Sequence, residues 1–176
     1  MKSLKLFVVF LIALTSILLV IACSSDSDDQ ELIKIGLLSP ITGPISQYAP
    51  GFADASDIAI AELNQFYGFG RPRGGGYEFE LITVDSGCDG TQAATAAQSL
   101  VDAGVVAIVG AACSGATLGA IAVAAPAGVP MVSYASTSPA ITTADDNGHL
   151  FRVVPSDAQQ AVALSVVVSD AGVSNP

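Results

Sequence analysis

The fold is decided by residues 105–117, VVAIVGAACSGAT. Apolar residues, most of them β-branched, run up to Gly110, and a small polar cluster then opens an alanine-rich segment. A continuous apolar run of this kind favours a parallel strand covered on both faces, here followed by a tight turn and a helix. In an open parallel sheet, ligands collect where the chain leaves the carboxyl ends of the strands. The stretch therefore predicts an α/β fold with a ligand crevice directly after this strand.

Ser114 stands at the start of the helix that this stretch predicts. We predict that it is the N-cap, so that its hydroxyl and the N–H groups of Gly115 and Ala116 converge with the positive end of the helix dipole. Such a group of donors binds an anion, most simply a small carboxylate. The alternative, that Ser114 caps its own helix and does nothing else, stays open at this point.

Strand and helix patterns alternate along the whole chain, which predicts a parallel sheet with helices on both faces. The predicted strands are 33–39, 77–85, 105–109, 129–133 and 150–154, and the predicted helices are 50–66, 91–103, 114–125 and 158–169. Three loops with hydroxyl side chains then share one edge of the sheet, namely 39–48, 113–115 and 134–137. The Gly-rich segment 67–76 is interpreted as a surface turn.

The N-terminal segment has the pattern of a secretory signal. Lys2 and Lys5 precede an apolar run of 17 residues that ends before Cys23, and a Ser- and Asp-rich segment follows. A charged start, a short apolar core and a small residue before the cut are typical of a signal peptide. We expect 1–22 to be removed and 23–31 to form a disordered tether. An uncleaved anchor is the alternative, because 17 residues lie at the lower limit for crossing a bilayer.

Charge and cysteine content narrow the classes of function. Without Lys2 and Lys5, four basic residues stand against 16 acidic ones, a net charge of −12. A chain this acidic lacks the basic stripe that nucleic-acid binding requires, so we expect no nucleic-acid partner. Cys88 and Cys113 remain besides Cys23, and in an oxidising compartment we expect these two to pair. Two independently buried thiols are the alternative.

The residues that catalysis or cofactor binding would need do not occur in the required patterns. His149 is the only histidine, and the sequence around Ser114 lacks both glycines of a nucleophile elbow. Residues 110–115 are not followed by the Lys-Ser/Thr of a phosphate loop, and the first strand is not followed by GxGxxG. One histidine and a cysteine pair do not make a metal-binding cluster. We therefore expect a binding protein rather than an enzyme, with no cofactor and no metal.

Four segments resemble the type I periplasmic binding proteins, specifically those that bind branched-chain amino acids or amides for ABC importers. The segments are IKIGLLSPITGPISQYAPG, VDSGCDGTQAATAAQSLVDAGVVAIVGAACSGAT, VPMVSYASTSPAIT and LFRVVPSDAQQ. They follow one another in the family's order over residues 33–160. The resemblance implies a two-lobed fold whose first lobe has flavodoxin-like strand order, and it also implies a disulfide between Cys88 and Cys113.

The resemblance further implies a set of ligand-binding residues. The set is Tyr48, Ser114, Gly115, Ala135, Ser136 and Thr137. Ser114, with backbone N–H groups of the same turn, would hold the α-carboxylate of a ligand. The Ala135 carbonyl and the Thr137 hydroxyl would meet the α-ammonium group, and Tyr48 would close over the side. We expect the side chain of Ser136 to point away from the cleft.

The same family comparison sets the expected organisation and role of the chain. VIAC at residues 20–23 resembles a bacterial lipobox, which implies lipid on Cys23 and anchoring at the cell envelope. Lobe 1 would span 32–155 and residues 156–176 would begin lobe 2, most of which would be missing. The expected function is delivery of a branched-chain amino acid, or a related small zwitterion or amide, to ABC permease subunits. A ligand-sensing receptor ectodomain of the same fold is the alternative.

Overall fold

The computed structural model describes residues 31–68 and 76–173, which belong to one unit, Glu31–Pro176. The predicted signal peptide, the lipidation site at Cys23 and most of the predicted turn at 67–76 lie outside the described residues. The first strand begins at Glu31, inside the predicted tether. None of the helices in the described ranges combines the length and the hydropathy needed to cross a membrane.

In the described part of the chain, five strands form one parallel sheet. They are β1 (Glu31–Ser39), β2 (Tyr77–Asp85), β3 (Ala107–Val109), β4 (Met131–Ser133) and β5 (Leu150–Arg152). Their order is β2-β1-β3-β4-β5, and all four pairings are parallel. The predicted parallel sheet and its flavodoxin-like order are therefore confirmed.

β3 and β4 begin later than predicted because the preceding residues end helices instead. Val105 and Val129 were expected in strands, but their N–H groups donate to the carbonyls of Leu100, at 3.3 Å, and Ala124, at 3.0 Å. Both carbonyls belong to the last turn of the preceding helix, where backbone acceptors need partners from outside the helix. Hydrogen bonding between the strands therefore begins only after Val105 and Val129. β5 ends two residues before its predicted end, at Arg152.

Within residues 31–68 and 76–173, four α-helices connect or follow the strands. They are α1 (Ala49–Tyr67), α2 (Gly90–Asp102), α3 (Ser114–Ala124) and α4 (Asp157–Asp170), with 3-10 turns at Ser46–Tyr48 and Pro139–Thr143. Pro50 lies in the first turn of α1, where its missing N–H leaves no helical bond unmade. Asp89 caps α2 by accepting from the Thr91 and Gln92 N–H groups. Ser156 caps α4 in a capping box.

α2 and α3 seal one face of the sheet with small side chains. The fully buried alanines of these two helices are Ala93, Ala97, Ala116, Ala120 and Ala124. They pack with Leu38, Leu100 and Ile108 in one core cluster. The helices approach so closely that a Cβ on Gly119 would collide with the carbonyl group of Gly90. Small residues at this crossing therefore set the distance between α2 and α3.

α1 covers the opposite face less completely. Successive residues of β1 point to opposite faces, since Gly36 lies against Leu100 of α2 while Ile35 points towards α1. A cavity of about 400 Å³ lies between α1 and the sheet. Its lining is mostly apolar and includes Ile35, Phe52, Leu63, Leu81 and Val109. The prediction of helices on both faces is thus confirmed, although only one face is closely packed.

α4 differs from the other helices in its exposure. It has no buried side chain, and Val162, Leu164, Val166 and Val167 are each more than half exposed. Its own capping box, rather than burial, defines where it begins. The division between a first lobe, 32–155, and the start of a second lobe, 156–176, stays a prediction.

Candidate functional site

The order of the strands reverses between β1 and β3. Connections that leave neighbouring strands in opposite directions open a crevice at the carboxyl edge of the sheet, which is where open α/β sheets bind ligands. We use the term rim for the segments that follow the five strands, 40–48, 86–89, 110–115, 134–138 and 153–157. Every residue of the predicted ligand-binding set lies on the rim.

Ser114 is the first residue of α3 and is not its N-cap, so this prediction was wrong. Cys113 occupies the N-cap position with the extended φ and ψ of −88° and 133°, and it makes no side-chain cap. Because the extended backbone continues as far as Cys113, Ser114 already has helical geometry. Its hydroxyl instead reaches the next rim segment and accepts a hydrogen bond from the Ser138 N–H, at 3.2 Å.

The N-terminus of α3 presents backbone donors without a side-chain cap. The Thr117 N–H bonds to the Cys113 carbonyl, at 2.9 Å, and thereby closes the first helical turn. The N–H groups of Ser114, Gly115 and Ala116 precede this bond and have no intrahelical partner. Gly115 is exposed. Together with the positive end of the helix dipole, these donors can bind an anion.

The segment after β4 lies directly beside this helix terminus. Ala135 is exposed, and its carbonyl accepts no hydrogen bond from the described residues. The Thr137 hydroxyl donates to Oδ2 of Asp157, at 3.0 Å, while the Thr137 carbonyl accepts from the Asp157 N–H, at 2.8 Å. Since Ser138 is bonded to Ser114, oxygen acceptors at 135–137 and N–H donors at 114–116 lie on adjacent, hydrogen-bonded segments.

Ser136 belongs to a buried group of hydroxyls beneath the rim. Its side chain is 0% exposed, its Oγ lies 2.8 Å from Oγ1 of Thr117, and it donates to the Ala111 carbonyl at 3.2 Å. Ser133 donates to the same carbonyl, at 2.7 Å. We call Thr117, Ser133 and Ser136 the hydroxyl cluster. The expectation that the Ser136 side chain points away from the cleft agrees with this arrangement, so Ser136 is removed from the side chains that can contact a ligand.

Asp85 holds the segment that carries Tyr48. Its carboxylate accepts from the Thr42 N–H at 3.1 Å, from the Gly87 N–H at 2.8 Å and from the Gln92 amide at 3.0 Å, and also from the Thr42 hydroxyl. Burial alone would raise the pKa of Asp85, but these hydrogen bonds to the ionised form outweigh it and lower the pKa below the ordinary 3.8. We call Asp85 and its three donor residues the Asp85 cluster.

Two tyrosines of the rim have opposite environments. Tyr48 ends a 3-10 turn and is 58% exposed, so its ring is accessible. The ring of Tyr134 lies 4.7 Å from that of Phe52, and its hydroxyl donates to the Leu38 carbonyl at 3.2 Å. Burial raises the pKa of Tyr134 to about 12. Tyr134 therefore serves as a neutral brace between the segment after β4 and the end of β1.

Cys88 and Cys113 lie side by side on the rim. Their Cα atoms are 5.3 Å apart, within the range that a disulfide spans. Cys88 belongs to the turn after β2, and Cys113 is the N-cap of α3. The pair therefore lies where the part of the rim that Asp85 organises meets the part that contains Ser114.

Sequence reasoning missed three residues that shape the rim. Asp157 was not included in the predicted ligand-binding set, although its position after a strand's carboxyl end was a signal that it belongs to the rim. Thr117 and Ser133 carried no signal, because their partners are distant in the sequence. Across 31–68 and 76–173, no three His, Cys, Asp or Glu side chains group together in a way that would hold a metal ion.

The fold is a parallel α/β lobe, and its rim presents a helix N-terminus beside exposed oxygen acceptors. These features are typical of a class of proteins that bind small polar ligands where the strand order reverses. A family model described as periplasmic binding protein matches residues 32–175. The chain belongs to this family, which confirms the resemblance found in the sequence.

Relatives and solved structures agree with this assignment. The leucine-, isoleucine-, valine-, threonine-, and alanine-binding protein of Pseudomonas aeruginosa is 31% identical over 142 residues, covering 80% of this chain and 36% of the relative. An ABC transporter substrate-binding protein from Desulfitobacterium hafniense, solved with Leu, matches at 29% identity and a TM-score of 0.68, and the match covers 81% of this chain and 40% of that one. LivJ from Streptococcus pneumoniae, solved with isoleucine, matches at 30% identity and a TM-score of 0.62, and the match covers 72% of this chain and 35% of that one. The chain thus spans well under half the length of the proteins it matches.

Proposed function

We propose that the whole protein is an extracytoplasmic solute-binding protein that captures a branched-chain amino acid, or a closely related small zwitterion or amide, and delivers it to ABC permease subunits. It catalyses no reaction. The relatives whose names and bound ligands include leucine and isoleucine support this ligand class. Residues 32–155 supply lobe 1 of the binding site, and the remainder of the site comes from a second lobe.

One observation carries the proposal, namely the hydrogen bond between Ser138 and Ser114. It holds uncapped helical N–H donors beside the acceptors of Ala135 and Thr137. A carboxylate requires donors and an ammonium group requires acceptors, so the two charged ends of an amino acid match the two adjacent segments. Tyr48 is exposed at the same rim and covers the bound ligand from the side.

Calorimetry of the whole protein with a panel of amino acids and short amides tests the ligand class. We expect micromolar or tighter binding of leucine, isoleucine or valine. Ser114→Ala removes a hydrogen bond to a charged group and should weaken binding roughly 10- to 100-fold. Ser99→Ala, on the exposed side of α2, is the matched control and should have no effect. The absence of heat with every amino acid would reject the ligand class.

Ser136→Ala provides a second comparison. Its hydroxyl is buried, so this substitution should weaken ligand binding less than Ser114→Ala while lowering the stability of the fold. Equal losses of affinity for the two variants would reject the proposed site.

A lobe that cannot close leaves the ligand open to water. We expect residues 23–176 alone to bind the same ligand at least a hundredfold more weakly than the whole protein, which corresponds to about 2.7 kcal/mol. Equal affinity of the two preparations in the same calorimeter would show that lobe 1 is sufficient, contrary to the proposal.

Export and membrane attachment form a separate part of the proposal. Residues 1–22 act as a signal peptide, and Cys23 becomes the lipidated first residue of the mature chain. A Cys23→Ala variant should stay unprocessed or leave the membrane fraction. Fractionation and electrophoretic migration identical to those of the parent would exclude the lipobox interpretation.

We also propose that Cys88 and Cys113 form a disulfide in the exported protein. The 5.3 Å between their Cα atoms supports it, as does the oxidising compartment. Mass spectrometry of unreduced peptides should find the two cysteine peptides linked. Recovery of two free thiols would leave the alternative of independently buried cysteines.

A further inference from the structure

Asp157 and Thr137 form two hydrogen bonds with each other, and each residue donates one of them. Oδ2 of its carboxylate accepts the Thr137 hydroxyl proton at 3.0 Å, and its N–H donates to the Thr137 carbonyl at 2.8 Å. Oδ1 accepts from the Gln160 side chain at 3.2 Å, which orients the carboxylate. Helix capping does not account for this contact, because Ser156 is the N-cap of α4 and forms its capping box with Gln159.

The bond to Asp157 decides what Thr137 can offer to a ligand. A threonine hydroxyl has one proton to donate and two lone pairs that accept. An ionised carboxylate only accepts, so the proton of the Thr137 hydroxyl is directed towards Asp157. Only lone pairs are then left for a ligand, and the hydroxyl selects an N–H donor.

Ser114 has the opposite arrangement. Its oxygen already accepts from the Ser138 N–H at 3.2 Å, and none of the described residues accepts its proton. The proton is therefore available to a ligand carboxylate. The two hydroxyls of the rim thus differ in hydrogen-bond direction, with Ser114 donating and Thr137 accepting.

We propose that Asp157 is a specificity-determining positioning residue, which fixes the hydroxyl of Thr137 as an acceptor so that the rim admits a ligand ammonium group and discriminates against ligands without one. This inference rests on the proposed function. Asp157 acts through Thr137 and need not touch the ligand. Its removal should therefore change the preference between ligands more than it changes binding in general.

The test compares leucine with 4-methylpentanoate, which is leucine without its amino group. Both ligands are titrated into the whole wild-type protein, Asp157→Ala and the control Asp170→Ala, which removes a carboxylate at the far end of α4. Alanine leaves no side-chain acceptor for the Thr137 proton, whereas asparagine would keep one. We expect Asp157→Ala to weaken leucine binding at least tenfold and to change 4-methylpentanoate binding less than twofold. Asp170→Ala should leave both affinities unchanged.

A double-mutant cycle separates positioning from direct attraction between charges. In a Thr137→Val background there is no hydroxyl to orient, so adding Asp157→Ala should weaken leucine binding less than twofold further. An undiminished tenfold loss in that background would overturn the inference, because Asp157 would then act on the ammonium group directly. Equal weakening of both ligands by Asp157→Ala would overturn it as well.

Neutron diffraction gives an outcome that does not depend on the ligand. Crystals of the deuterated protein without ligand should show the Thr137 deuteron directed at Oδ2 of Asp157. A deuteron directed into the open rim would overturn the inference. If the wild-type protein binds no amino acid, the proposed function and the selectivity for an ammonium group both fail, whereas a deuteron directed into the rim beside intact leucine binding overturns only the inference about Asp157.

Discussion

The hydroxyl cluster and the Asp85 cluster hold neighbouring parts of the same rim by different physical means. Thr117, Ser133 and Ser136 are neutral and fully buried, and they satisfy one another and the Ala111 backbone. Asp85 is charged and only partly buried, and its partners are mainly N–H groups and a hydroxyl near solvent. A broken buried hydrogen bond leaves groups that water cannot reach, whereas groups near the surface regain water.

The difference predicts that the two clusters respond differently to substitution and to pH. Disrupting the hydroxyl cluster should lower the free energy of unfolding more, and this contribution should not depend on pH, because none of its side chains titrates in the accessible range. Disrupting the Asp85 cluster should lower the free energy of unfolding less, and its contribution should be lost in acid. The proposed disulfide between Cys88 and Cys113 would connect the two regions, so substitution of either cysteine tests whether the regions stabilise the fold together.

Loss of the proposed disulfide should have the largest effect on the free energy of unfolding. A link between residues separated by 25 positions stabilises the folded state by about 3.5 kcal/mol in the chain-entropy model. Cys88→Ala should lower the free energy of unfolding by about this amount in denaturant titrations under oxidising conditions. The double variant Cys88→Ala/Cys113→Ala should be no less stable than the single variant. Losses that add would indicate two separate thiols.

Thr117→Val should have the second largest effect and lower the free energy of unfolding by about 2 kcal/mol. The substitution keeps the shape of the side chain but leaves the Ala111 N–H without its acceptor in a buried site. Thr95→Val, on the exposed face of α2, is the matched control and should change the free energy of unfolding by less than about 0.5 kcal/mol. The same loss for both variants in urea titrations would contradict a special role of the hydroxyl cluster.

Asp85→Asn should lower stability by about 1 kcal/mol at neutral pH, because charge-assisted hydrogen bonds are lost. The folded-state pKa of Asp85 is depressed, so its stabilisation is present above the ordinary value of 3.8 and is lost as the pH falls through the lower folded-state value. Wild type and variant should therefore converge in unfolding experiments as the pH falls below 3.8 and through the lower folded-state pKa. Asp54→Asn, on the exposed side of α1, is the control. A constant gap between wild type and Asp85→Asn at all pH values would contradict the assignment.

Tyr134→Phe should have the smallest effect, about 0.5–1 kcal/mol, since it removes one neutral hydrogen bond to the Leu38 carbonyl. The raised pKa of Tyr134 means that its stabilisation is present below pH 10 and is lost as the pH rises from 10 to about 12. Absorbance at 295 nm should follow this ionisation, with Tyr48→Phe as the exposed control. A Tyr134 midpoint near pH 10 would contradict its role as a buried brace.

Local patterns were sufficient to predict most of the fold. β2 begins and ends at the predicted residues, because alternating apolar and acidic residues mark an edge strand with one wet face. Pro50 and Ser156 marked the starts of α1 and α4 through chemistry that acts within a few residues. The position of the rim followed from the same patterns, because consecutive parallel strands leave their loops at one edge.

The hydrogen bonds of the rim were beyond such reasoning. Thr117 and Ser136 are 19 residues apart, and Thr137 and Asp157 are 20 residues apart, so no short-range period relates them. The N-cap was misplaced by one residue because a serine and a cysteine occupy adjacent positions, and only the backbone angles of Cys113 show where the extended chain ends. Sequence patterns thus located the rim segments but not the direction in which each hydroxyl donates.

The close crossing of α2 and α3 has a consequence for how this sequence can change over time. Gly119 has no room for even a methyl group beside Gly90, and Gly90 is the first residue of α2, directly after its N-cap Asp89. An alanine at position 119 would have to push α3 away from α2, and Ser114 at the beginning of α3 would move with it. Substitutions far from any ligand can therefore retune the rim. Laboratory evolution of a new ligand preference should find useful variants at this helix crossing as well as among the residues that touch the ligand.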